Sequence, residues 1–237
     1  MNSPLHSIGA HEKRIKRHFG TLVLPDDIKP VEDTISIMVF INRSGSSLVS
    51  EYLRATGAFS GFGEPLNYGL VIECAEKHGI GSFAGYLDWL MENIRREGTQ
   101  FGMKASYDQV TMLLRSGAIP RYFNKVRWIF VQRRDILSQA NSFSIAEQTL
   151  QWHSFQTSNG SEPVYDFADI KRRVESIANS YAAIHSLLGL CGIEPCYIAY
   201  EEFLSDPLVE TKKVATFLGV DNVVVQPAQV AHGEAGK

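Results

Sequence analysis

An apolar run at 34–41, TISIMVFI, passes without a break into a polar loop carrying one glycine, NRSGSS at 42–47. A strand covered by helices on both faces is written as such an almost continuous run of β-branched, aliphatic and aromatic side chains, interrupted here only by Ser36. Beyond the loop, Leu48, Tyr52 and Leu53 mark the apolar side of a helix that ends near Gly57. Strand, polar loop and helix in this order open an α/β domain of the nucleotide-binding type, with a central parallel sheet flanked by helices. Within the loop, Gly45 permits a tight turn, and successive N–H groups at the helix start can point at one anion. Ser44, Ser46 and Ser47 add hydroxyls and Arg43 adds a fixed positive charge. A polar turn with an N-cap has the same letters; the buried strand before it and the adjoining arginine favour the anion cradle.

A second strand candidate, Val126 to Gln132, runs into Arg133, Arg134 and Asp135. In a parallel sheet both loops lie at the C-terminal edge, where open α/β folds hold their ligands. Between them, helices are expected over 70–78, 83–96 and 108–114, with a short strand at 100–104. The Gly-rich, aromatic text from Gly57 to Tyr68 reads as irregular. Later come a helix from Ile136 to about His153, another over 169–188 on the spacing of Ile170, Val174, Ile177, Tyr181, Ile184 and Leu188, a strand at 196–200, and a helix over 209–218 stopped by Gly219. Residues 1–33, punctuated by Pro4, Pro25 and Pro30, read as a leader whose Lys13, Arg14, Lys16 and Arg17 are solvated. Residues 221–237 read as a tail, which leaves one domain over 34–220.

With 237 residues, 44% of them hydrophobic and 21% charged, the chain can build one sizeable core. A net charge of -3 supplies no basic field for nucleic acid. No apolar run reaches membrane-spanning length and no signal-peptide pattern opens the chain, so a cytoplasmic location without stable membrane insertion is the expectation. Cys74, Cys191 and Cys196 form no CxxC pair and have no zinc-finger histidines, which argues against disulfide frameworks and structural zinc; Cys191 and Cys196 read as inert buried thiols. GxxxxGK[ST] is absent, as are a strand-ending Asp for magnesium and GxGxxG, so the loop can hold a phosphate without the metal-handling parts of a kinase and without a Rossmann fingerprint.

VFINRSGSSLVSEYL and WIFVQRRDILSQANS together resemble the sulfotransferase superfamily and, within it, the bacterial trehalose 2-sulfotransferase-like family. AEQTLQW, YEEFLSDP and KKVATFLG resemble its later segments, so that the likeness runs over about 35–220. The resemblance implies a P-loop-like fold that binds 3'-phosphoadenylyl sulfate (PAPS), without a metal, and transfers its sulfuryl group to a hydroxyl of a sugar or glycolipid. It assigns the RSGS loop to the 5'-phosphosulfate and an Arg with a Ser eight residues later to the 3'-phosphate. Arg134 and Ser142 satisfy that spacing, whereas Arg133 has Asn141 at the same offset. The family's usual polar or basic C-terminal segment has no evident counterpart in PAQVAHGEAGK.

Glu64, in GFGEPLNY, corresponds in this resemblance to the glutamate facing the acceptor hydroxyl, and is the expected general base. His153 is the alternative base, placed by Trp152. Lys104 is either a solvated strand terminus or a charge beside the transferred group. Phe62, Tyr68 and Trp152 are either core or a platform for a sugar ring. Two other functions stay open: a P-loop-like small-molecule kinase, and a noncatalytic nucleotide-binding or scaffold protein that keeps the fold. A homodimer is compatible with all of them.

Overall fold

The computed structural model describes residues 8–152, 156–157 and 159–226. Its frame is a five-stranded, all-parallel sheet in the order β2-β3-β1-β4-β5. The strands are β1 (Ile35–Val39), β2 (Phe59–Gly63), β3 (Gln100–Ala105), β4 (Val126–Gln132) and β5 (Cys196–Ala199). β1 occupies the centre and all five of its residues are buried; its one polar residue, Ser36, accepts a hydrogen bond from Gln100 at 3.1 Å.

Helices cover both faces. On one lie α3 (Tyr68–His78), α4 (Phe83–Asn93), α5 (Tyr107–Ser116), α6 (Ile136–Thr149) and α7 (Phe167–Leu190), closing a core that includes Val71, Leu87, Leu113, Ala140 and Ile184. On the other lie α2 (Ser46–Ala55), the short α8 (Tyr200–Ser205) and α9 (Pro207–Phe217), around Val49, Leu53, Phe203 and Val214. The neighbouring central strands β1 and β4 therefore send their following helices, α2 and α6, to opposite faces. Their loops part at the C-terminal edge of the sheet and open a crevice there, the topological switch point of the fold. β3, β4, β5, α2 to α5, α7 and α9 fall within a few residues of where periodicity puts them. Gly219 has the positive φ of 80° expected of the residue after a helix. α6 stops at Thr149 because Leu150 turns left-handed, at φ 56°.

Two expectations are corrected. Residues 1–33 are not a leader throughout, because α1 (Ala10–Phe19) packs against α3 and α5. Its Ile15 is fully buried, as are Leu22 and Leu24 behind it. Arg115 on α5 donates from Nε to Glu12 at 3.2 Å, so even the buried carboxylate of this helix is paired. The packed unit thus begins near residue 10. The Gly-rich stretch after Gly57 is not irregular either; it holds β2, an edge strand whose pairing with β3 shifts register between Gly61 and Gly63.

The α6–α7 pair carries a charge cluster with a pH consequence. Arg173 donates to Asp169 at 2.5 Å and to Glu147 at 2.6 Å, and Ser144 donates to Asp169 at 2.7 Å. Hydrogen bonding from Arg173 above all, then from Ser144 and Arg172, holds the Asp169 carboxyl well below its ordinary value of 3.8. A depressed carboxyl stabilises the fold above the unfolded value and loses that contribution as pH falls through the folded one. Asp169→Asn should accordingly flatten the acid limb below about pH 4 in a plot of urea midpoint against pH; an unchanged limb would disprove this source of acid sensitivity. Among the described residues no helix is long and apolar enough to cross a membrane.

Candidate active site

The loop after β1 is built around two unusual backbone conformations. Arg43 has φ 66° and Gly45 has φ 93°. A side chain at position 45 is excluded twice over: the left-handed region favours glycine, and a Cβ there would stand 2.2 Å from Cδ2 of Tyr200. A left-handed arginine is costly, and such strain concentrates where a loop must present its groups in one way. Among the described residues no side chain caps the start of α2, which leaves its first N–H groups available at the crevice.

Arg43 turns toward α6. It donates from Nε to Ser142 Oγ at 2.8 Å and from a terminal nitrogen to the Trp152 carbonyl at 2.5 Å. Arg133, leaving β4, lies 4.9 Å above the Tyr200 ring, the same ring that closes on Gly45. Burial, and then the like charge of Arg133, draw the Arg43 guanidinium below the usual arginine value. Among the described residues neither Arg43 nor Arg133 is in an ion pair. Three buried side-chain polar atoms there lack a hydrogen-bond partner, and two of them, Ser44 Oγ and Arg133 Nε, belong to these two loops. Buried polar atoms are nearly always satisfied, so two orphans beside converging positive charge point to an anion.

Arg134, the partner expected from spacing, faces elsewhere. Its guanidinium, 65% exposed, pairs with Glu202, and its N–H donates to Glu201 at 3.0 Å. The structure therefore does not join Arg134 to Ser142; Ser142 serves Arg43, and Arg133 is the second guanidinium of the crevice. Both residues follow the end of β4, and contacts with α8 separate them: Glu201 and Glu202 hold Arg134, while Arg133 lies over Tyr200.

Lys104, the last residue but one of β3, is not a solvated terminus, being 4% exposed. Its ammonium bonds Glu64 Oε1 at 2.9 Å and Ser47 Oγ at 3.2 Å. This line of contacts joins the Glu64 carboxylate to the loop after β1. Ser46 is buried at the first turn of α2, and its carbonyl accepts from Ser50 at 2.8 Å.

Of the aromatic platform, Phe62 is core: it is fully buried, with φ 52°, beneath Phe59 and over Gly102. Tyr68 carries Arg14 over its ring at 4.1 Å, and Trp152 packs edgewise on Phe143 at 5.7 Å. His153 lies outside the described residues, as do 227–237 of the tail. Cys191 is exposed rather than buried. Cys196 is half-buried, and burial pushes its thiol up to about 11, in keeping with an inert group.

Sequence reasoning missed the residues that set the spacing of the two loops. Gln139, fully buried on α6, donates to the Asn42 carbonyl at 2.8 Å and accepts from Tyr181 at 3.0 Å. The Tyr181 oxygen accepts from the Arg133 N–H at 2.8 Å. Tyr181 was legible only as part of an apolar stripe, and Gln139 and Tyr200 carried no sequence signal.

The family model described as Stf0 sulphotransferase matches residues 36–234, most of the chain and both loops. The chain belongs to the Stf0 sulphotransferase family. Among solved structures, this Stf0 member is similar to the mouse sulfotransferase SULT7A1 complexed with PAP, at 14% identity and a TM-score of 0.44 over 87% of this chain; it spans 65% of the mouse chain's length. It is also similar to a sulfotransferase from Alicyclobacillus acidocaldarius, at 14% identity and a TM-score of 0.50, over 84% of this chain and 86% of that one. The latter likeness is one of fold, the α/β sulfotransferase architecture. No curated protein matches the chain.

Proposed function

We propose that the chain transfers a sulfuryl group from PAPS to a hydroxyl of a carbohydrate or glycolipid acceptor. The observation that carries this reading is the like-charged pair Arg43 and Arg133 beside the loop that leads into α2, with Ser44 Oγ and Arg133 Nε buried and unpartnered there. These residues fit a ligand with two separated anionic ends. The N–H groups at the start of α2, with Ser44, Gly45, Ser46 and Ser47, receive the 5'-phosphosulfate, and Arg133 with Ser142 receives the 3'-phosphate.

The donor supplies the sulfuryl group: a bond from the acceptor oxygen to sulfur forms, the bond from sulfur to the 5'-phosphate oxygen breaks, and 3'-phosphoadenosine 5'-phosphate (PAP) departs with the electron pair. Glu64 accepts the proton of the acceptor hydroxyl. Lys104, between Glu64 and Ser47, is placed to meet negative charge on the sulfuryl oxygens. Arg43 holds the loop and opposes charge on the leaving phosphate.

A transfer assay with sulfur-labelled PAPS tests the activity; phosphoryl transfer from ATP with magnesium and none from PAPS would reverse it in favour of the kinase. The two guanidiniums after β4 give a sharper test. Arg133→Ala should lower the preference for PAP over AMP by roughly 10- to 100-fold, the scale of one charge-assisted contact. Arg134→Ala, whose partner is the exposed Glu202, should change it little. Competition titrations read both ratios, and the opposite ranking would return the clamp to Arg134.

A further inference from the structure

Beyond the edge strand β2, between it and helices α3 and α4, the structure has a cavity of about 360 Å³ that Glu64 lines at one end. At roughly 30 Å³ per water-sized unit it holds on the order of a dozen non-hydrogen atoms. Its walls are the side chains of Leu70, Tyr86, Trp89, Leu90, Ile94 and Phe101. Tyr86 and Trp89, one turn apart on α4, lie with ring planes only 16° apart and form a continuous aromatic wall. The hydroxyl of Tyr86 is already spent on the Pro65 carbonyl at 2.5 Å. The charged and imidazole groups, Glu73, Lys77 and His78, are exposed on α3 and form the rim.

Such a cavity offers an apolar body much to bury and offers polar hydroxyls few partners. A free sugar would desolvate several hydroxyls against hydrocarbon, leaving most of them unpaired. Leu70 is 52% exposed and Ile94 is 38% exposed, so two apolar side chains of the wall stand partly in water until something covers them. Glu64 also lines the cavity, and through Lys104 it is joined to the loop after β1.

We propose that the acceptor is an amphipathic alcohol whose apolar body fills this cavity and whose hydroxyl is delivered to Glu64. This rests on the reading of the chain as a sulfuryl transferase, and narrows the acceptor from any sugar hydroxyl to one carried by an apolar group. The cavity side of Glu64 selects the acceptor by burial, while the loop side holds the donor.

Binding can be read without any donor, from the emission of Trp89, with Trp89→Phe identifying its share of the signal. The full-length protein titrated with 1-octanol should show saturable quenching or a blue shift of that signal, and titration with trehalose should show none. Leu70→Glu and Ile94→Glu, each at a partly exposed position, should each raise the dissociation constant for 1-octanol by about tenfold or more, since each sets a charge in the apolar wall. Their affinity for PAP should stay at the wild-type value, which also shows that both variants are folded. Equal binding of trehalose, or 1-octanol binding indifferent to both substitutions, overturns the proposal. If 1-octanol binds as described and competes with product formation on a hydroxyl acceptor, the proposal stands. If labelled PAPS is consumed with a polar sugar at rates untouched by Leu70→Glu and Ile94→Glu, the transferase reading survives and the amphipathic acceptor falls. Cavity binding of 1-octanol with no affinity for PAP gives the reverse: the apolar site remains and the transferase reading fails.

Discussion

Replacing Glu64 by Gln is expected to slow single-turnover sulfuryl transfer by roughly 100- to 10,000-fold, the usual contribution of acid–base assistance. The substitution keeps size and some hydrogen bonding and removes only the basic carboxylate. Glu64 sits at the end of β2, outside the anion loop, and touches that loop only through Lys104. PAP affinity should therefore change far less than the rate, and a rapid-quench experiment beside a PAP titration separates the two. Near-wild-type transfer across pH would remove Glu64 as the base. If His153→Ala instead produced the large loss with Glu64→Gln active, the proton would pass to the imidazole.

Gly45→Ala is expected to damage donor binding through a single methyl. The left-handed φ of 93° costs a non-glycine residue about 1–2 kcal/mol. The new Cβ would also meet the Tyr200 ring at 2.2 Å, a contact that must be relieved by moving the ring from beneath Arg133. Displacing the ring adds a cost of similar order, and about 3 kcal/mol together corresponds to a PAP affinity lower by on the order of 100-fold. Calorimetric titration of Gly45→Ala checks the total. The double variant Gly45→Ala with Tyr200→Ala separates its parts: space is restored and the backbone penalty is kept, so part of the lost affinity should return. Full wild-type affinity in Gly45→Ala would show that the loop does not need its observed shape.

The centre of the fold was legible because β1 and β4 are covered on both faces, and such strands are written as continuous apolar runs. α1 was hidden by chemistry of the opposite kind. Its inward face is Glu12, Ile15 and Phe19, and a count of apolar letters discards the first of these, although Arg115 makes its burial possible. β2 was hidden because FSGFG has the composition of a turn; an edge strand bent by a register shift tolerates glycine where a central strand does not. At the site, the residue types were readable and their directions were not. The eight-residue spacing selects Arg134, but in the turn after β4 Arg133 goes to Tyr200 and Arg134 to Glu202, partners that only the packing of α8 supplies. Lys104 illustrates the same limit, since only the fold shows that a lysine at a strand end is enclosed between Glu64 and Ser47.

The docking of α1 has a kinetic side. Glu12 and Arg115 lie 103 residues apart in the chain, and His11 accepts a hydrogen bond from the Tyr68 N–H, 57 residues away. Contacts so distant in sequence carry a large loop-closure cost and form only when their partners exist. Docking of α1 is therefore expected late, once α3 and α5 have formed. Because α1 settles on α3, which bears one wall of the cavity beside Glu64, that wall gains its support only after segments far apart in the chain have met, as β1 itself gains its ladder only from β3 and β4.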